Sequence, residues 1–121
     1  MLDMKALVKP SWIGTIIQVA MVVVGHFSAW ISHNGFMWGG LGISLFAGFL
    51  YGREAASGYA GAALGGAIVG GLCALIGIAV SVLLGDTPAN ILLFGTIGSA
   101  VTGLIGGVIG KLTAGSSTAA A

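Results

Sequence analysis

The sequence predicts an all-α integral membrane bundle of four transmembrane helices with glycine-zipper packing, and three observations predict it. Of the 121 residues, 57% are hydrophobic and 6% are charged, whereas about a quarter of a soluble domain is charged. Four basic and three acidic side chains cannot cover a folded surface in water. The stretch from Gly58 to Leu84 carries no charge and is long enough to cross a bilayer. Within it, Gly58, Ala62, Gly66, Gly70 and Ala74 fall four apart, which lines them along one stripe of a helix. In water each interior glycine would cost about 1 kcal/mol relative to alanine. In lipid, the need to pair every backbone group within the segment imposes the helix, and the small stripe then admits a second backbone at close range.

Residues 1–11 read as a cytoplasmic N-terminal tail. Lys5 and Lys9 precede an apolar run too long for a signal peptide's hydrophobic region, and no small-x-small cleavage site follows, so the run is a retained helix. Pro10 and Ser11 mark its start, with Ser11 as N-cap. The domain at 12–112 holds helices over about 12–31, 36–52, 58–84 and 89–112. Trp12 and Trp30 stand eighteen residues apart, roughly 27 Å along one helix, which sets the two indoles in opposite interfacial belts. Ser32-His33-Asn34-Gly35 forms a polar turn. The second helix carries the small stripe Gly40, Ser44, Gly48, Gly52, with Trp38 and Tyr51 as belt residues near its ends. Arg53 and Glu54 enter the next loop. After the third helix, Gly85-Asp86-Thr87-Pro88 makes a turn, with Asp86 or Thr87 capping and Pro88 in the first helical position. The fourth helix bears two stripes: Gly95, Ser99, Gly103, Gly107, and Gly98, Thr102, Gly106, Gly110. The tail at 113–121 has nothing to bury and is predicted to be disordered. The two hairpins share a pattern, Gly14–Gly25 against Gly66–Gly77, of a kind that apolar low-complexity sequence produces easily.

Intramembrane polar groups are where function usually resides, and here they are few. No Asp, Glu, Lys or Arg lies deep in any span. Proton-driven rotor subunits need a mid-membrane carboxylate, and four-helix multidrug transporters need a Glu in their first helix; this chain has neither. No nucleophile–base pair, phosphate loop or cofactor motif is visible, so the chain is predicted not to be an enzyme and to hold no cofactor. A net charge of +1 offers no basic field for nucleic acid. His26 and His33 are seven residues apart, about 10 Å along a helix, too far to share one metal ion. Gln18 and His26 lie about 80° apart around a helix and form the candidate intramembrane polar site. Its sharper reading is a hydration path or proton relay; its plainer reading is interhelical hydrogen bonding worth about 1 kcal/mol each. Cys73, the single cysteine, reads as a small buried thiol.

These residues point to a small packing or accessory subunit that self-associates or joins a larger membrane complex. The alternative is a small channel or transporter with a path lined by the first helix, Gln18 and His26; a holin-like pore former is a weaker third. The surplus of stripes on the fourth helix predicts that Gly98, Thr102, Gly106 and Gly110 face a second copy of the chain. The expected setting is a bacterial cytoplasmic membrane, in direct contact with lipid. Lys5, Lys9, Arg53 and Lys111 all fall on one side of a four-span topology, which predicts both termini in the cytoplasm. Cysteines placed at Ser32 and Ser57 test this: only the former should react with an impermeant maleimide added outside intact cells.

Overall fold

The computed structural model describes residues 4–28, 30, 35–55 and 58–120 and contains four helices, α1 (Met4–His26), α2 (Phe36–Glu54), α3 (Tyr59–Leu83) and α4 (Ile91–Ala120). There is no strand among the described residues. Lys5–His26, Tyr59–Leu83 and Ile91–Ala114 are each long and apolar enough to cross a membrane. α2, at 19 residues, lies alongside them. Gly14 faces Cys73 and Gln18 faces Gly77, so α1 and α3 run parallel; Gly48 faces Gly103 and Gly52 faces Gly107, so α2 and α4 do too. Gly66 and Gly70 meet Gly107 and Gly103 in the opposite sense. The chain is therefore an up-down-up-down bundle. α4 sits in the groove between α2 and α3, and α1 packs on the same pair without touching α4.

Most of the buried side chains are small, Tyr51, Val22, Val69 and Gln18 being larger exceptions. Ala47, Ala62, Cys73, Ala74, Ser44, Ser81 and Ser99 are buried, whereas Ile16, Val24, Phe46, Leu64, Ile97 and Val101 are exposed. This arrangement suits hydrocarbon. Lipid tails are as apolar as leucine, so burying large apolar groups has no advantage there, and close packing of small ones decides which faces meet.

The tightest contacts are between backbones. A Cβ at Gly70 would stand 2.6 Å from the Ser99 carbonyl oxygen and 2.8 Å from Gly103 Cα. One at Gly48 or Gly52 would collide with the carbonyl of Gly103 or Gly107, and one at Gly66 with that of Gly103. Ala62 completes this surface against Gly107. A Cβ on Gly95 would meet the Ile78 side chain, 2.5 Å from Cδ1, rather than backbone. Gly58 does not join the packing surface: it is the N-cap of α3, exposed, with open space where its Cβ would be.

The predicted second-copy face is occupied within the chain. Gly106 lies on the Leu45 carbonyl and Gly110 on the Phe49 carbonyl, both in α2, and Gly98 approaches Leu41. Thr102 turns its hydroxyl back to donate to the Ser99 carbonyl at 3.0 Å. The two stripes, about 60° apart, serve two neighbours because α4 lies in a groove and needs both.

The element ends also differ from expectation. α1 begins at Met4, runs through Pro10 and stops at His26, so Ser11 is an interior residue and not a cap. Pro10 falls in the second turn, where its ring removes a single backbone hydrogen bond, and it is fully buried; Ala6, one turn earlier, joins the buried cluster of Tyr51 and Val69. Residues 4–11 are thus part of the bundle. With α1 ending at His26, Trp12 and Trp30 do not share one helix, although both are exposed. Tyr51 is no belt residue: it is fully buried, its ring filling the space beside Gly65. α4 starts at Ile91, after a turn in which Ile91 N–H donates to the Pro88 carbonyl at 3.1 Å. It extends to Ala120, past the expected end at Leu112, in a segment that has no proline to stop it. Ser32, His33, Asn34 and Ser57 lie outside the described residues.

Replacing Gly70 with Leu should lower stability in detergent by about 1–3 kcal/mol, because the clash is with backbone that cannot rotate away. Gly42→Leu, where nothing lies within 4 Å of the added Cβ, and Ile68→Leu, on the exposed face, should each shift the melting temperature little.

Candidate functional site

α1 places Gln18 in the middle of the bundle, where it is buried. Its Nε2 donates to the Gly40 carbonyl at 3.1 Å and to the Ser44 hydroxyl at 3.3 Å. Ser44 passes the chain on, donating to the Gly70 carbonyl at 3.1 Å. One amide thereby links α1 to α2 and, through Ser44, to α3. The glycines make the geometry possible: Gly77 leaves room for Gln18, whose Cβ would be 2.9 Å from a Cβ placed there. Both Nε2 hydrogens and the one Ser44 hydrogen are used, so the donors are consumed inside the bundle.

His26 does not belong to that site. It is the last residue of α1, exposed, two turns beyond Gln18, and its Nδ1 lies 2.8 Å from Asp86 Oδ2. The partner is positioned by the end of α3. Gly85 adopts φ +82°, a conformation that favours glycine. The Asp86 N–H donates to the Ser81 carbonyl at 3.0 Å and the Gly85 N–H to that of Val82 at 3.0 Å. This is the paired-bond ending in which a left-handed glycine turns the chain sharply out of a helix. The Ser81 and Thr87 hydroxyls, 2.6 Å apart, tie the turn to the helix. Phe27 covers the imidazole edge-on at 5.1 Å between ring centres.

Gln18 and His26 are therefore two separate features, one a mid-bundle clasp and the other an end pair. Asp86 was absent from the sequence-derived site; the signal for it was topological, since Asp86 is an acid in the turn at the end where α1 finishes. Cys73 is buried and donates weakly to the Ser11 carbonyl at 3.5 Å, a contact with no sequence signature. The described residues include no group of three or more His, Cys, Asp or Glu able to hold a metal.

The clasp and the end pair should differ in energy. Gln18→Leu, which keeps the volume but leaves Ser44 and Gly40 without their donor, should cost about 1 kcal/mol. A double-mutant cycle between His26→Ala and Asp86→Ala should give roughly 0–1 kcal/mol, because the pair is partly solvated. Chemical or thermal unfolding of the four variants in one detergent measures both. No family model matches the chain, and comparison with curated proteins and with solved structures finds none that is similar to it.

Proposed function

We propose that this protein is a small non-enzymatic accessory subunit, one that self-associates or joins a larger complex in a bacterial cytoplasmic membrane, with both termini cytoplasmic. A single observation carries this reading: the buried Gln18 amide spends both of its donor hydrogens inside the bundle, on the Gly40 carbonyl and the Ser44 hydroxyl. The Gln18–Ser44–Gly70 chain of hydrogen bonds is an internal clasp, and α4 is pressed against its two neighbours at glycine contacts. Such an interior favours rigidity over passage of a solute. The grouping of Lys5, Lys9, Arg53 and Lys111 toward one end of an up-down-up-down bundle supports the orientation. A channel along α1 has less in its favour, since Gln18 and His26 sit at different depths and each is held by an internal partner.

The reading is tested by pairing two assays on the same tagged protein. Purification from native membranes in mild detergent should recover either a fixed multiple of the chain or a defined partner. Proteoliposomes of the pure protein should show no ion or solute flux above empty vesicles. Selective flux that is lost in Gln18→Leu would overturn the accessory reading in favour of the channel.

A further inference from the structure

One apolar surface feature has a charged terminus. Between α2 and α4 runs an open groove of roughly 210 Å³, lined by Gly42, Leu45, Phe46, Phe49, Gly106 and Ile109. Its walls are large apolar side chains, and Leu45, Phe46 and Ile109 are exposed. At the mid-helix end Gly42 leaves open space, with no atom within 4 Å of a Cβ built on it. On α2 the series Gly42, Phe46, Phe49, Arg53 advances by four, three and four residues, so it keeps to one face. Arg53 therefore stands at the groove's other mouth. Its guanidinium carbon lies 5.8 Å from the centre of the Phe49 ring, within cation–π range. One nitrogen donates to the Thr113 hydroxyl, in α4, at 3.4 Å. That long bond engages one of five guanidinium N–H groups. No ion pair involves Arg53 among the described residues, and the neighbouring Glu54 stands about 100° away around the helix axis.

We propose that this groove is a binding site for one anionic phospholipid, with an acyl chain along Gly42, Phe46 and Phe49 and the headgroup phosphate on Arg53 beside Thr113. The apolar lining suits a hydrocarbon chain and offers a headgroup nothing. The guanidinium at the mouth suits a phosphate and favours an anionic lipid over a zwitterionic one. Arg53 also lies at the end of the bundle that carries Lys5, Lys9 and Lys111, which on the orientation proposed above faces the anionic cytoplasmic leaflet.

The test uses the full-length protein in detergent, titrated with palmitoyl-oleoyl phosphatidylglycerol, with the phosphatidylcholine of the same chains, and with inorganic phosphate. Thermal shift and lipid retention in native mass spectrometry are read together. Phosphatidylglycerol should stabilise saturably and bind about five-fold more tightly than phosphatidylcholine. Arg53→Gln should remove that preference while leaving the weaker binding of both lipids. Gly42→Leu should weaken both lipids and keep the headgroup preference. Phe46→Ala, which widens the groove without adding bulk, replaces it as the chain-site probe if Gly42→Leu does not fold. Equal binding of the two lipids by the wild type, an unchanged preference in Arg53→Gln, or undiminished binding in the groove variant would each overturn the proposal. So would stabilisation by inorganic phosphate alone, which marks a free-anion site. A disulfide-linked dimer of Gly42→Cys in the Cys73→Ala background would also overturn it, since it gives the groove to a second copy.

Discussion

The whole arrangement depends on one steric condition: α4 must come within backbone contact of two helices at once. Gly103 and Gly107 satisfy it. On one side they meet Gly48 and Gly52, and on the other Gly66 and Gly70, with backbone atoms where side chains would otherwise be. A single methyl group at any of these positions meets carbonyl oxygen or Cα, which cannot move aside as the end of a flexible side chain can. In hydrocarbon no solvent drives the helices together, so the dispersion gained at this distance is a main source of association. The glycines cost helix propensity, and the membrane offsets that cost by forbidding unpaired backbone.

Once α4 is seated, the other features follow from what space remains. α2 and α3 are held as a pair, and their far side receives α1. There the residues are slightly larger: Gly14 lies against Cys73 and Ala47, and Gln18 against Gly77. That greater spacing leaves room for a side-chain amide, and the Gln18 clasp occupies it. A buried amide is unfavourable unless its donors are satisfied, and here they are. The N-terminal turns of α1 close the same interface, with Ala6 in one buried cluster with Tyr51.

The two ends of the bundle differ in chemistry. At one, the left-handed Gly85 ends α3 and presents Asp86 to His26. At the other, Arg53 lies over Phe49 and reaches Thr113, extending past the apolar wall as long cationic side chains do at a membrane boundary. Between them the outer surface is apolar on every helix, as contact with lipid requires.

The class of molecule, the number of helices and the small-residue stripes were legible in the chain alone, because they depend on composition and on periodicity along one segment. The sequence also located the ends of α3 to within a residue, since Gly58 and Gly85 flank an uninterrupted apolar run. What it left open was which stripe meets which neighbour. Gly98, Gly106 and Gly110 read as a surplus face because α2 and α3 carry small stripes of their own; in the bundle Gly106 and Gly110 lie on α2, while Gly103 and Gly107 meet both α2 and α3. Pro10 and Ser11 read as a start signal, with Ser11 as N-cap, yet the helix begins at Met4 and its Ala6 joins the buried cluster of Tyr51 and Val69. Tyr51 read as interfacial from its type, and Gly65, fourteen residues on, made the cavity that buries it. His26 and Asp86, sixty residues apart, became partners only when α1 and α3 were set parallel. In each case the deciding quantity was a distance between segments, and tertiary packing alone sets it.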